Sequence, residues 1–95
     1  MPSFPPRFMD DIRARITLSD LIGRRIKLAR AGREYKACCP FHKEKTPSFY
    51  VNDDKQFFHC FGCGAHGDVI GFTMRYDNIS FLEAIERLAA EAGLQ

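Results

Sequence analysis

Two short cysteine-containing turns constrain the fold of this chain more than any other feature. The first turn is Cys39-Pro40-Phe41-His42 and the second is Cys60-Phe61-Gly62-Cys63, with seventeen residues between them. Two ligands with two residues between them can reach the same ion from one turn, and a second pair from elsewhere in the chain completes a tetrahedron. The pattern therefore predicts one zinc ion bound by Cys39, His42, Cys60 and Cys63.

Three thiolates and one neutral imidazole would fill all four positions around this ion. A closed site leaves no position for water or substrate, so we expect the zinc to be structural and not catalytic. Gly62 and Gly64 flank Cys63, and we expect them to adopt positive φ so that amide groups turn towards the sulfurs. Pro40 should stiffen the first turn in a similar way.

Neighbouring residues offer other ligands. Successive side chains of a strand point to opposite faces, so Cys38 should be a small buried or half-exposed thiol, and His59 should point away from the ion. His66 could replace His42 through a C-x2-C-x2-H turn. Two disulfides are another use of four cysteines, but nothing resembling a secretory signal precedes them and disulfides would not need His42.

The size of the chain makes the metal important for stability. A 95-residue domain buries only about 60% of the surface that its unfolded chain exposes. A structural zinc site supplies roughly 10 to 16 kcal/mol of binding free energy coupled to folding, so we expect the metal-free chain to be largely unfolded or molten. No apolar run approaches the roughly 20 residues of a membrane span, and zinc-bound thiols suit the reducing cytoplasm, where we place the protein.

The small net charge of +2 is divided unevenly along the chain. Residues 1–36 carry nine Lys and Arg against four Asp and Glu, a balance of +5, residues 37–59 balance at zero, and residues 60–95 balance at −3. A basic end beside a zinc site points modestly to nucleic acid, and a solvated basic surface explains the charge equally well.

The apolar periodicity predicts short helices before a small sheet and two longer helices after it. Residues 8–16 and 18–22 have helical spacing, residues 24–37 and 48–60 alternate as two pairs of strands, and helices should start near Asp68 and at the capping box that Ser80 begins. We therefore predict an α+β fold: a small antiparallel zinc-ribbon sheet with short N-terminal helices and two C-terminal helices.

The predicted sheet should carry positive charge and aromatic rings on its exposed face. Phe49 and Val51 should face inward, which leaves Tyr50 and one of Phe57 or Phe58 outside. Bases stack on rings while cations hold phosphates, so this combination suits single-stranded nucleic acid. The basic strip beside the rings comprises Arg25, Lys27, Arg30, Arg33 and Lys36.

Three segments resemble the N-terminal zinc-binding domain of bacterial DnaG-type DNA primases. They are Cys39-Pro40-Phe41-His42, Glu44-Lys45-Thr46-Pro47-Ser48-Phe49 and Phe58-His59-Cys60-Phe61-Gly62-Cys63-Gly64, and the likeness runs from Ile12 to the last helix. The resemblance places the zinc ligands on the four residues predicted above and basic site residues on Arg33 and Lys45. From the charge pattern of the sequence, we predict Lys36, Lys43, Lys55 and Tyr50 as further nucleic-acid contacts. Cys38 is not expected from the family pattern.

The resemblance also implies a role. Such a domain helps a primase to start RNA primers on single-stranded DNA template, while a separate polymerase domain, reached in cis or in trans, holds the catalytic site. A further C-terminal domain contacts the replicative helicase. We therefore expect residues 1–95 to be one zinc-binding domain within a longer chain.

Other functions remain open at this point. The acidic C-terminal helices could dock a protein partner, which would make the chain a zinc-ribbon adaptor without nucleic-acid binding. An iron site of the rubredoxin type is disfavoured by His42, because such sites use four thiolates. A catalytic site of its own is least expected, since the chain has no carboxylate cluster for paired magnesium ions and no phosphate-binding glycine loop.

Overall fold

The fold consists of a small sheet with helices packed against one of its faces. A computed structural model describes residues 6–43 and 45–94, so Glu44, which belongs to the second segment that resembles the primase domain, lies outside the described residues. The helices are α1 (Pro6–Arg15), α2 (Leu18–Gly23), α3 (Val69–Asp77) and α4 (Phe81–Ala92), and the strands are β1 (Ala29–Ala31), β2 (Glu34–Ala37), β3 (Phe49–Asn52), β4 (Phe57–Cys60) and β5 (His66–Gly67).

The sheet is an antiparallel meander in which each strand pairs with the next along the chain. The two predicted pairs of strands are present, and the predicted α+β class is confirmed. The first strand is shorter than predicted and begins at Ala29. The N–H groups of Arg25 and Ile26 donate to the Ile22 carbonyl at 2.9 and 3.0 Å, so this segment continues the last turn of α2 instead of pairing in the sheet.

The inner face of the sheet forms the hydrophobic core. Phe49 and Val51 are fully buried, which confirms their predicted orientation, and Phe49 pairs with Cys60 while Val51 pairs with Phe58. The rings of Phe49 and Phe58 stack with centroids 5.3 Å apart. The same face therefore holds both the aromatic core and one predicted zinc ligand.

Side-chain caps fix the starts of the two C-terminal helices. The Asp68 carboxylate accepts hydrogen bonds from the N–H groups of Ile70 and Gly71, and the Ser80 hydroxyl accepts one from Glu83. Two aromatic rings of these helices are partly exposed: Tyr76 is 37% exposed and Phe81 is 45% exposed. Both rings lie at the edge of the helix pair, where the described part of the chain leaves them in contact with solvent.

The strand β5 was not predicted. It has only two residues, too few for a periodic pattern, and it forms because the second cysteine turn reverses the chain against β4. Gly67 allows the close approach: its φ is +154°, and a Cβ there would lie 3.3 Å from Cε2 of Phe58.

Candidate metal centre and nucleic-acid interface

The second cysteine turn is closed by backbone hydrogen bonds. The Cys60 N–H donates to the Ala65 carbonyl and the Gly64 N–H donates to the Cys60 carbonyl, both at 2.8 Å. Gly64 has a φ of +82°, as predicted, but Gly62 does not have a positive φ. One left-handed residue is enough because it reverses the chain directly after Cys63.

The first turn follows β2 and is anchored by an aromatic ring. The Phe41 N–H donates to the Cys39 sulfur at 3.3 Å, and the Phe41 ring lies 6.2 Å from the ring of Phe49 and 5.7 Å from that of Phe72. On α3, the Arg75 guanidinium lies 4.8 Å from the centroid of the Phe41 ring. The core and α3 together hold this turn in place.

The four predicted ligands come together. Their ligand atoms all lie within 4.8 Å of one another, and no other group of three or more His, Cys, Asp or Glu ligands occurs in residues 6–43 and 45–94. Zinc–sulfur distances of about 2.3 Å place two sulfurs of a tetrahedral site roughly 3.8 Å apart. The Sγ atoms of Cys39 and Cys63 are 3.8 Å apart, which matches this geometry and is too long for a disulfide bond. The residues therefore fit a tetrahedral zinc ion.

The neighbouring candidates lie outside this cluster. Cys38 is exposed, in contrast to the predicted buried or half-exposed thiol, because it lies between β2 and the first turn with its side chain directed away from the core. His66 pairs with His59 across β4 and β5. Both imidazoles lie on the outer face of the sheet, and neither belongs to the four-residue cluster.

The protein environment affects the two buried thiols differently. Burial raises the pKa of the Cys39 thiol to about 12, and the nearby Cys60 and Cys63 sulfurs add to this effect. Burial also opposes ionisation of Cys60, but the backbone N–H of Cys63, the Ser48 hydroxyl and the backbone N–H of Gly62 together lower its pKa. The second turn is thus arranged to stabilise a thiolate, and a zinc ion supplies the positive charge that keeps Cys39 deprotonated.

The outer face of the sheet presents a row of basic and aromatic side chains. The strand register places Lys36 opposite Tyr50, Tyr50 opposite His59, and His59 opposite His66. The Phe61 ring is 72% exposed and lies 5.6 Å from the Tyr50 ring and 4.6 Å from the His59 ring. We call Lys36, Tyr50, His59, Phe61 and His66 the outer-face row.

The structure also decides which of two neighbouring phenylalanines is exposed. Phe57 is 39% exposed on the outer face, whereas Phe58 is buried in the core.

The sequence did not predict Phe61 and His66 as members of this surface. Phe61 belongs to the second turn, and its place beside Tyr50 depends on a hydrogen bond from its N–H to the Ser48 carbonyl at 2.9 Å, which no local pattern indicates.

The predicted basic residues are spread along the sheet. Lys43 and Lys45 are exposed in the loop after the first turn, beside the metal cluster, and Lys36 lies in the outer-face row. Arg33 and Lys55 lie in the β1–β2 and β3–β4 turns, at the opposite end of the strands from the cluster. Arg33 therefore does not lie near the zinc ligands, because the length of β2 separates it from Cys39.

The predicted basic strip is not continuous either. Arg25 is directed towards the helices, where it contacts Asp77 at 3.2 Å and lies over the Tyr76 ring. Arg30 lies 5.1 Å from the ring centroid of Tyr35, on the other face of the hairpin from Lys36. The prediction placed these arginines with Lys36 because it extended the first strand back to Arg24.

The fold and the site together define a zinc ribbon. A model of the CHC2 zinc finger family matches residues 4–95, and the chain belongs to this family. The predicted zinc cofactor and the resemblance to the zinc-binding domain of bacterial DNA primases are thereby confirmed. No helix in the described part of the chain is long and apolar enough to cross a membrane.

Similar proteins are DNA primases. The chain is 59% identical to the DNA primase of Haemophilus influenzae over 93 residues and 55% identical to that of Escherichia coli K12 over 91 residues. These matches cover 98% and 96% of this chain but only 16% of each primase. The crystal structure of the zinc-binding and RNA polymerase domains of Aquifex aeolicus primase matches with a TM-score of 0.88 and 42% identity, over 100% of this chain and 23% of that one.

Proposed function

We propose that this zinc ribbon holds single-stranded template DNA while a DNA primase initiates an RNA primer. The observation that carries the proposal is the outer-face row, in which exposed and half-exposed rings lie beside Lys36 on a sheet with a buried opposite face. Stacking of bases on such rings is worth roughly 1 to 3 kcal/mol per base, and every base has a face that can stack.

The basic residues suit contacts with the phosphates of the same strand. Lys43 and Lys45 lie in the loop at the end of the strands near the metal cluster, and Arg33 and Lys55 lie in turns at the opposite end of the strands. Lys36 lies between these ends, beside Tyr50. We infer that the template runs along the sheet between the two ends, with its bases on the rings and its phosphates near these cations.

The zinc ion has a structural part in this function. We assign Cys39, His42, Cys60 and Cys63 as its ligands, and their closed tetrahedral arrangement supplies rigidity and no reaction chemistry. The ion joins the end of β2 to the end of β4. These two strands lie on either side of β3, which carries Tyr50. The position of Phe61 beside Tyr50 depends on the second turn, so zinc binding stabilises the stacking surface.

Catalysis in this proposal belongs to another part of the primase. The chain spans 16% of the length of its curated relatives, and the Aquifex aeolicus structure contains an RNA polymerase domain besides the zinc-binding domain. We propose that the zinc ribbon presents the template to such a polymerase domain, in cis or in trans, in the cytoplasm. A helicase contact would be made by a separate C-terminal domain.

Fluorescence anisotropy with labelled oligonucleotides tests the proposal. Zinc-loaded protein should bind a single strand of mixed sequence, bind it more weakly as salt rises, and bind the matching duplex less well. Tyr50→Leu should weaken single-strand binding, whereas Phe81→Leu, which changes an exposed ring on α4, should not. Equal binding of single strand and duplex would contradict base stacking, and absence of salt-dependent binding would favour the protein-docking adaptor instead.

A further inference from the structure

Rings and lysines hold a single strand without distinguishing its bases. Stacking tolerates every base, because every base has a face that can stack, and phosphate contacts carry no sequence information. A surface that distinguishes bases needs a hydrogen-bonding group of fixed polarity within reach of their polar edges. The polar side chains of the sheet differ in whether they offer such a group.

Two amide side chains of the β3–β4 hairpin are used inside the protein. The Oδ1 of Asn52 accepts a hydrogen bond from the Lys55 N–H at 2.9 Å. The Nε2 of Gln56 donates to the Arg13 carbonyl oxygen at 2.8 Å, which ties the hairpin to α1. These bonds stabilise the turn and its packing, so the two amides serve the fold.

His66 offers a hydrogen-bond acceptor of fixed polarity. Its Nδ1 lies 2.9 Å from the carbonyl oxygen of Gly64. A carbonyl oxygen only accepts hydrogen bonds, so Nδ1 carries the proton and the Nε2 of the neutral ring keeps its lone pair. His66 is exposed, and Nε2 lies on the edge of the ring farther from the backbone. Among the described residues, no comparable bond fixes the tautomer of His59.

The sheet holds the His66 ring beside other rings of the outer face. His66 lies directly opposite His59, and the backbone of the next residue, Gly67, packs so closely on the Phe58 ring that any side chain there would disturb the contact. The His66 ring lies 5.8 Å from the Phe57 ring and 6.1 Å from the His59 ring, centroid to centroid. A base that stacks on either neighbouring ring therefore brings its polar edge within reach of His66.

We propose that Nε2 of His66 reads the exocyclic amino group of a template adenine or cytosine. The N6 amino group of adenine and the N4 amino group of cytosine are hydrogen-bond donors, whereas thymine carries a carbonyl oxygen, an acceptor, at the equivalent position. An acceptor of fixed polarity favours the amino-bearing bases and opposes the carbonyl. This inference rests on the proposed function and adds base selectivity to it.

Anisotropy titrations with two homopolymeric single strands of equal length test the inference. One strand contains adenine, and the other contains unsubstituted purine, which lacks only the N6 amino group. Zinc-loaded wild-type protein should bind the adenine strand more tightly by roughly two- to tenfold, the effect of one hydrogen bond. His66→Phe keeps an aromatic ring and removes the acceptor, so it should bind both strands with similar affinity.

His59→Phe is the matched control, because it makes the same change at the opposite position of the sheet. It should keep the preference for adenine, and both variants should keep one zinc. An equal preference in wild-type protein and His66→Phe, or its loss in His59→Phe alone, would overturn the inference and leave the proposed function standing. Wild-type protein that binds neither strand would contradict the proposed function, and the inference with it.

Discussion

Arg13 on α1 and Asp68 at the start of α3 form an ion pair with Nε and Oδ2 2.9 Å apart, across 55 residues of sequence. The same carboxylate caps α3 through the N–H groups of Ile70 and Gly71. Because Asp68 directly follows β5, this one side chain ties the first helix to the segment that leaves the second cysteine turn. The helices and the metal-bound end of the sheet are therefore coupled.

Replacing Asp68 with alanine should destabilise the domain. Loss of an N-cap costs about 0.5 to 2 kcal/mol, and a partly exposed ion pair contributes about 0.2 to 1 kcal/mol more. Asp68→Asn keeps an oxygen that can cap the helix and removes only the charge, so it should cost less. Urea unfolding of zinc-loaded protein measures both effects. Equal losses for the two variants would show that the cap contributes nothing.

Cysteine replacements should separate the zinc ligands from their neighbour. Cys63→Ser removes a proposed ligand and should abolish stoichiometric zinc binding and cooperative thermal unfolding, because the folding free energy depends on the metal. Cys38→Ser changes an exposed thiol outside the cluster and should keep one zinc and a normal melting temperature. Zinc content measured beside the melting curve decides the question. Loss of zinc in Cys38→Ser would place this residue among the ligands.

Single basic residues should affect the salt dependence of template binding. Arg33→Ala and Lys45→Ala should each weaken single-strand binding and reduce the slope of log K against log salt by roughly 0.7, the effect of one lost phosphate contact. Arg24→Ala is the control, because Arg24 pairs with Glu91 of α4 at 2.6 Å, away from the outer face. Unchanged slopes for both test variants would remove them from the binding surface.

Exposed rings of the outer-face row should contribute through stacking and not through charge. Phe61→Ala should weaken single-strand binding by about 1 to 3 kcal/mol and leave the salt slope unchanged. The Phe61 ring is largely exposed, so its removal should hardly affect the melting temperature. Anisotropy titrations at several salt concentrations provide both quantities. Wild-type affinity would contradict the stacking arrangement.

The parts of the fold that follow local patterns could be predicted from the sequence. Alternation placed Phe49 and Val51 inside, the Ser80 capping signal marked the start of α4, and the spacing of the two turns brought four ligand residues together. These features depend on neighbours within a few residues or on the geometry of one metal ion.

The parts that depend on tertiary packing could not be predicted. β5 exists because Gly67 can approach Phe58, and Arg25 leaves the basic strip because Asp77 of α3 lies within reach. Phe61 lies next to Tyr50 because its N–H donates a hydrogen bond to the carbonyl of Ser48, the residue before β3. Each of these contacts joins two separate segments of the chain, and no local sequence pattern in either segment indicates the contact.

Removal and restoration of zinc test the central claim most directly. Circular dichroism during thermal melting should show a cooperative transition for zinc-loaded protein, no cooperative transition after chelation, and recovery when one equivalent of zinc is returned. This follows because a structural zinc site contributes roughly 10 to 16 kcal/mol to a domain with a small core. A metal-free protein that melts cooperatively at the same temperature would show that the two turns are held together without the ion and would contradict the account.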